Sequence, residues 1–350
     1  MVKIRTIVVS VILSMLFCTS SGADDNGLWE KYKTTFIQAD GRVVDFYQGQ
    51  MSHSEGQGYG MLLSVLYNDK STFDKLYKWT KNNLMLRKDN LSVWSWGKRA
   101  NDKWDVIDYN NATDGDVLIA FALIKAANKW QNNAYKTEGT KIVGAIRANL
   151  SVKWQGLNVL LPGYYGFTKN DSIVLNPSYI IPPAYKLFAS VDDKAFWEKT
   201  YKDSITFLGQ CKFSKYKLPG DWIALTGKGL QLSSENPQVF GYDAIRTFLY
   251  LSLDKVVPYP EGLKEISKIY KQAGSIPAQI DLSDNATKAS VSTDTAPSGF
   301  YAIYSFAFSK SGDGELSAKL SKEAQDKLTN EKENYYSYTL YLLVKKGNDL

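Results

Sequence analysis

The stretch that most constrains the fold of this chain is residues 112–130, where a short polar run is followed by a long apolar one. Thr113 and Asp114 are residue types that cap helices, because their side-chain oxygens accept hydrogen bonds from the free N–H groups of the first turn. Asp114 and Asp116 also lie where the helix dipole favours carboxylates. Residues 117–124 are apolar on every face, and such a helix is buried on all sides. The stretch therefore predicts an interior helix with acidic groups at its N-terminus.

The rest of the chain alternates between this kind of helix and an amphipathic kind. We predict twelve helices, at residues 26–38, 57–68, 71–85, 114–130, 135–149, 177–189, 193–210, 241–253, 261–274, 297–309, 315–329 and 335–346. Those beginning near 57, 114, 177, 241, 297 and 335 are rich in Ala, Leu, Ile, Tyr and Phe, whereas the others bear regularly spaced charges. Two short extended pieces are predicted at residues 93–96 and 157–161. The alternation predicts an all-α fold, an (α/α)6 barrel of six inner and six outer helices.

The N-terminal 23 residues have the pattern of a signal peptide. Lys3 and Arg5 precede a short apolar run at residues 7–17, and Ser-Gly-Ala at residues 21–23 suits a signal peptidase. We expect cleavage after Ala23, a periplasmic or secreted location, and no membrane insertion of the mature chain. Because no linker rich in Pro, Gly or Ser divides residues 24–350, a single domain is expected there.

Composition excludes several classes of function. The formal net charge of +6 is spread along the chain without a basic cluster, so nucleic-acid binding is not expected. His53 is the only histidine, which excludes a His-rich metal site, and we expect neither a metal nor a cofactor. The chain has 9 Trp and 23 Tyr, and these either fill the core or form the apolar walls of a sugar-binding cleft.

Polar residues concentrate at the predicted starts of the inner helices. Glu55 precedes the first, Asp114 opens the second, and Asp243 opens the fourth. If the inner helices run parallel, these positions converge on one mouth of the barrel, together with free helix N–H groups. The sequence therefore predicts an acidic, aromatic cleft at that mouth.

Two of these carboxyls differ in their local surroundings. Glu55 lies in a Gly- and Tyr-rich turn, where partial burial is expected to raise its pKa and make it a proton donor, although a simple capping Glu fits the same pattern. Arg246 follows Asp243 by one helical turn, and this cation is expected to keep Asp243 ionised, as a base requires. An ordinary surface ion pair has the same spacing.

Five short motifs are similar to those of glycoside hydrolase family 8. They are residues 54–61 (SEGQGYGM), 94–97 (WSWG), 112–116 (ATDGD), 176–179 (NPSY) and 242–246 (YDAIR). The motifs occur in the family's order, and no motif is recognisable beyond about residue 260. Within the family, the resemblance is greatest to the periplasmic endoglucanases that accompany bacterial cellulose synthases.

The resemblance implies an (α/α)6 barrel that hydrolyses cellulose, a β-1,4-glucan, with inversion of the anomeric carbon. It implies that Glu55 is the general acid, that Asp243 is the general base, and that Asp114 grips the sugar at the cleavage point. It further implies sugar-binding roles for Trp94, Tyr179, Tyr242 and Arg246. A functional association with a cellulose synthase complex is part of the same implication.

Three alternatives remain open from the sequence. One is a hydrolase of the same family that acts on mixed-linked glucan, xylan or chitosan. Another is a non-catalytic glucan-binding subunit, although the presence of all three carboxyls counts against it. The third is a polysaccharide lyase on a similar barrel, which would need a cleft richer in Arg and Lys than the motifs indicate.

Overall fold

The computed structural model describes residues 21–283 and 292–350. The predicted signal segment, residues 1–23, lies outside the described residues except for its last three, which begin the first helix. The described residues form twelve α-helices: α1 (Ser21–Phe36), α2 (Ser54–Leu66), α3 (Lys70–Asn83), α4 (Thr113–Trp130), α5 (Asn133–Leu150), α6 (Pro182–Phe188), α7 (Lys194–Gln210), α8 (Ile245–Leu253), α9 (Pro260–Ala273), α10 (Ser298–Ser311), α11 (Gly314–Leu328) and α12 (Tyr335–Lys345). None of them is both long enough and apolar enough to cross a lipid bilayer.

The even-numbered helices form a closed inner ring. Each packs against the next, from α2 through α4, α6, α8 and α10 to α12, and α12 packs back against α2. The odd-numbered helices lie outside this ring, with α3, α5 and α7 on α2, α4 and α6, with α9 and α11 on α10, and with α1 on α12. The inner helices are buried on nearly every face, as their apolar sequences require. The predicted (α/α)6 barrel is therefore confirmed.

Two glycines allow α2 and α4 to begin close together at the mouth of the barrel. A Cβ atom at Gly58 would lie 2.6 Å from the Cβ of Leu118, and one at Gly115 would lie 2.8 Å from the backbone nitrogen of Glu55. Since no larger residue fits at such separations, these glycines bring Glu55 next to the first turn of α4. The sequence predicted a tight backbone in this region but not its contact with α4.

Two inner helices begin later than the sequence predicts. The helix predicted from residue 177 is instead a 3₁₀ turn (Pro177–Tyr179) followed by α6, because consecutive prolines at 182 and 183 fix the entry of the second helix. The helix predicted from residue 241 begins at Ile245. Tyr179 and Asp243 consequently lie in turns at the rim, where their side chains have more freedom to face the cleft.

Short strands decorate the rim of the barrel to a greater extent than predicted. They are β1 (Ser52–His53), β2 (Ser95–Lys98), β3 (Trp104–Asp108), β4 (Ser151–Trp154), β5 (Leu157–Leu160), β6 (Ser172–Leu175), β7 (Ile223–Thr226), β8 (Gly229–Leu232), β9 (Val239–Phe240) and β10 (Ile280–Asp281). All pair in antiparallel fashion, as the sheets β1-β2-β3 and β6-β7-β8 and the pairs β4-β5 and β9-β10. The predicted extended pieces overlap β2 and β5. The strand β1 leads directly into Glu55, and β6 ends immediately before Asn176, so two of the sheets deliver residues to the mouth.

Candidate active site

A cleft lies at the mouth where the inner helices begin. Its larger part has a volume of about 560 Å³ and is lined by Asp45, Tyr47, Gln48, His53, Glu55, Tyr242, Asp243, Arg246, Asn334, Tyr335 and Tyr336. Its smaller part, of about 230 Å³, is lined by Gln48, His53, Ser54, Glu55, Trp94, Ala112, Asp114, Tyr179, Asp243 and Arg246. All seven residues singled out from the sequence line one or both parts. The two parts share Glu55 and Asp243, so the cleft extends to either side of these carboxyls.

Helix starts place the carboxyls in the cleft. Glu55 is the second residue of α2, whose N-terminus is capped by His53: the imidazole Nδ1 accepts a hydrogen bond of 3.0 Å from the backbone nitrogen of Gly56. Asp114 is in the first turn of α4, and its Oδ1 accepts from the backbone nitrogen of Gly115 at 2.8 Å. Each carboxyl is thus fixed by the helix that bears it.

Arg246 joins the carboxyls into one cluster. Its Nη1 donates to Oε2 of Glu55 and, at 3.3 Å, to Oδ2 of Asp114. Its Nη2 donates to Oδ1 of Asp243 at 2.6 Å and to the Ser178 hydroxyl at 2.8 Å. The arginine side chain is only 3% exposed. Because one cation cannot neutralise three carboxyls, of which Asp114 is buried and the other two are partly exposed, the cluster favours keeping at least one proton.

Asp114 is the most deeply buried of the three carboxyls. Burial, and secondly the neighbouring charge of Glu55, raise the pKa of Asp114 well above its ordinary value. The helix dipole was expected to keep this group ionised, and that expectation is wrong. The dipole contribution is modest, whereas the side chain is almost fully buried beside a second carboxyl.

The expected difference between the pKa values of Glu55 and Asp243 is also wrong. Burial raises the pKa of Glu55, but the charges of Arg246 and His53 outweigh it, so that the pKa lies below its ordinary value. Burial raises the pKa of Asp243 above its ordinary value despite the contact with Arg246. The spacing in the sequence indicated a contact of Arg246 with Asp243 alone, whereas in the fold Arg246 also contacts Glu55.

Two residues that influence Asp243, one through the backbone of its turn and one through its pKa, were not predicted. Asp221 accepts backbone hydrogen bonds from Gly241 and Ala244, both at 2.8 Å, on either side of Asp243. The side-chain amide of Asn176 lowers the pKa of Asp243. Asn176 was recognised only within a motif. Asp221 follows Pro-Gly in what reads as an ordinary surface turn, so no local signal points to it.

Aromatic side chains form walls on both sides of the carboxyls. On one side, Trp94 donates from Nε1 to Oδ2 of Asp108 at 2.9 Å, which fixes the indole ring. On the other side, Tyr336 donates to the backbone oxygen of Tyr242, whose ring packs on Phe300 with centroids 5.1 Å apart. A pyranose ring can stack on such fixed rings by its apolar face.

A helical barrel with three carboxyls in an open, aromatic-walled cleft has the features of a carbohydrate-active enzyme. The model of the family described as "Glycosyl hydrolases family 8" matches residues 1–348, and the chain belongs to this family. Within residues 21–283 and 292–350, no group of His, Cys, Asp and Glu has an arrangement that could hold a metal ion.

Three individual proteins show the extent of the similarity. An endoglucanase of Cellulomonas uda is 42% identical over 225 residues, which are 64% of this chain and 62% of that protein. A probable endoglucanase of Novacetimonas hansenii is 34% identical over 280 residues, which are 79% of this chain and 80% of that protein. The solved structure of the endo-β-1,4-glucanase CMCax from Acetobacter xylinum has a TM-score of 0.81 and 31% identity, and the match covers 94% of this chain and 99% of that one.

Proposed function

We propose that this chain is an endo-β-1,4-glucanase that hydrolyses cellulose and related soluble β-1,4-glucans with inversion. Family membership and the endoglucanase names of its relatives support the reaction class. The observation that carries the proposal is the cluster in which Arg246 contacts both Glu55 and Asp243 at the centre of the cleft. Because space continues on both sides of this cluster, the cleft suits cleavage within a chain rather than at its end.

In the proposed mechanism, Glu55 donates its proton to the glycosidic oxygen as the bond from that oxygen to the anomeric carbon breaks. Asp243 accepts a proton from a water molecule, whose oxygen forms the new bond on the opposite face of the sugar. The products are two shorter chains, and the proton taken up by Asp243 is later returned through solvent to Glu55.

The remaining predicted residues bind the sugar chain in this proposal. Asp114, between Glu55 and the wall formed by Trp94, accepts hydrogen bonds from sugar hydroxyls at the cleavage point. Trp94 and Tyr179 line the smaller part of the cleft, and Tyr242 lines the larger part. Arg246 orients the carboxyls and balances part of their charge.

We also propose that the protein is exported and acts in cellulose biosynthesis, in functional association with a cellulose synthase complex. Support for export comes from the signal-peptide pattern of residues 1–23, and support for the association comes from the resemblance of the motifs to endoglucanases that accompany such synthases. N-terminal sequencing of the exported protein should begin near Asp24, and an intact Met1 would contradict the predicted cleavage.

The activity is tested by reducing-sugar release from carboxymethylcellulose, lichenan, xylan and chitosan, measured side by side. We expect carboxymethylcellulose to be cleaved with a viscosity loss that precedes most of the reducing-end release. The variants Glu55→Gln and Asp243→Asn should each lose several orders of magnitude in kcat while glucan binding is retained. Faster hydrolysis of xylan or chitosan would overturn the substrate assignment, and full activity of either variant would overturn the assignment of roles.

A further inference from the structure

The turn that bears Asp243 is hydrogen-bonded to Asp221, which lies just before β7 in the sequence. The backbone nitrogen of Asp221 donates to the backbone oxygen of Val239 at 2.8 Å. Its side-chain Oδ1 accepts 2.8 Å hydrogen bonds from the backbone nitrogens of Gly241 and Ala244. Asp221 therefore forms hydrogen bonds with residues on both sides of Asp243 in the sequence.

The two side-chain hydrogen bonds replace the backbone hydrogen bonds that a helix would supply. Residues 241–244 precede α8, so the N–H groups of Gly241 and Ala244 have no helical carbonyl to bond. A single buried oxygen satisfies both of them, and Asp221 is only 8% exposed. The carboxyl of Asp221 thus binds both ends of this turn, and the Tyr336 hydroxyl donates to the carbonyl of Tyr242 between them.

Gly241 is shaped for this contact. A Cβ atom at this position would lie 2.9 Å from Oδ2 of Asp221, and its backbone does not adopt a positive φ. The absence of a side chain therefore serves the close approach of the carboxyl and not an unusual backbone conformation. Burial, and secondly the charge of Asp243, raise the pKa of Asp221 to about 7, which shows that the two carboxyls influence each other electrostatically.

We propose that Asp221 is a positioning residue that holds the Asp243 carboxyl at the distance required to activate water. The proposal rests on the role of Asp243 as the base in the proposed function. Asp221 does not line the cleft and does not touch the glucan; it acts through the backbone of the turn. Loss of the contact should reduce kcat far more than it raises KM, since a shift of about 1 Å in a reacting group costs about 100-fold in rate.

The test compares Asp221→Ala with Asp221→Asn and with a matched control, Asp203→Ala. Asp203 is equally buried, at 8% exposed, and accepts a 2.6 Å hydrogen bond from the backbone nitrogen of Asn158, but it lies on the outer helix α7. We expect Asp221→Ala to lower kcat about 10- to 100-fold with KM changed less than about threefold. Asp221→Asn retains the accepting oxygen and should recover most of that loss. Asp203→Ala should leave kcat near the wild-type value.

A second variant covers the case in which Asp221→Ala does not fold. Gly241→Ala keeps the carboxyl but places a methyl group against it, so it should displace the turn and lower kcat in the same manner. The proposal is overturned if either Asp221→Ala or Gly241→Ala, when folded, has the kcat of the Asp203→Ala control. It is also overturned if Asp221→Asn is as impaired as Asp221→Ala. Asp243→Asn, measured in parallel, distinguishes failure of the proposed base from failure of the positioning role. Full activity of Asp243→Asn would refute the assignment of Asp243 as the base. Loss of its activity, together with normal activity of the Asp221 variants, would refute only the positioning role.

Discussion

Arg246 on α8 donates a hydrogen bond to Glu55 on α2, across 191 positions of sequence and across the mouth of the barrel. This ion pair lowers the pKa of Glu55, which has to be protonated in its proposed role as the general acid. Burial and the charge of Glu55 raise the pKa of Asp114 instead, so Asp114 binds a proton more readily than Glu55 does. The proposed role of Glu55 therefore requires that this residue carry the proton when the glycosidic bond breaks.

Removal of the cation should therefore raise the pKa of Glu55. In Arg246→Leu, burial is no longer opposed by the guanidinium, so the Glu55 carboxyl should titrate at higher pH than in the wild type. The measurement is a ¹³C NMR titration of carboxyl-labelled Glu, with Glu55 identified by its loss in Glu55→Gln. Arg87→Leu is the control, because Arg87 pairs with Asp89 and does not line the cleft. An unchanged or lower pKa in Arg246→Leu would show that the ion pair does not govern Glu55.

Trp94 should contribute to glucan binding more than to chemistry. Trp94→Ala removes an aromatic wall next to Asp114, and the loss of stacking on one sugar ring costs about 1–2 kcal/mol. We expect KM for soluble glucan to rise about 5- to 30-fold with a smaller change in kcat. Trp104→Ala is a matched control, because Trp104 is exposed, stacks on Trp96 and does not line the cleft. A large loss of kcat at constant KM in Trp94→Ala would indicate a different role.

The sequence predicted the barrel well because burial on all sides leaves a strong local signal. The apolar run of α4 predicts an inner helix, and the regularly spaced charges of α3 predict an outer helix; a few residues of sequence are enough for each. Helix starts are less visible when a distant group satisfies the backbone. The turn at residues 241–244 was therefore read as helix, since nothing nearby indicates that Asp221 bonds its N–H groups.

The site was predicted in its members but not in its electrostatics. Motifs identified Glu55, Asp114 and Asp243, and the structure brings all three together. The ionisation of each carboxyl depends on contacts with residues that are distant in the sequence, such as the contact of Glu55 with Arg246. Spacing along a helix revealed the pair formed by Arg246 and Asp243 because only three positions separate them.

Buried Asp116 should make the protein more stable at mildly acidic pH than at neutral pH. Burial raises its pKa to about 7, although it accepts a 2.7 Å hydrogen bond from the backbone nitrogen of Ser92. An Asp in the unfolded chain has a pKa of about 3.9. Between these values the folded state binds a proton that the unfolded state does not, so the free energy of unfolding falls as pH rises, by on the order of 1 kcal/mol per pH unit.

Asp116→Asn should therefore reduce the slope of the unfolding free energy against pH between pH 5 and 7, measured by urea denaturation, while the contribution of Asp221, whose pKa is also about 7, remains. Asp69→Asn is the control. Burial alone would raise the pKa of Asp69, but its hydrogen bonds, chiefly that with Lys33, lower the pKa to about 2. This carboxyl is therefore ionised in both the folded and the unfolded state over that range. The slope in Asp69→Asn should match that of the wild type. An equal slope in Asp116→Asn would mean that Asp116 is ionised in the folded protein at pH 5.

The roles proposed for the carboxyls predict the stereochemistry of the reaction. A retaining enzyme needs a nucleophile about 5–5.5 Å from the acid, across the sugar ring, whereas an inverting enzyme needs a more distant base with room for water. Asp114 and Glu55 both accept hydrogen bonds from the arginine nitrogen Nη1, and we propose that Asp114 binds the sugar rather than acting as a nucleophile. Asp243 accepts a hydrogen bond from the other arginine nitrogen, Nη2, and is the proposed base that activates water. Hydrolysis of a cello-oligosaccharide, followed by ¹H NMR faster than mutarotation, should therefore release the α-anomer first from the β-linkage. Early β-anomer, or a glycosyl group trapped on Asp114, would show retention and would require the roles of Asp114 and Asp243 to be exchanged.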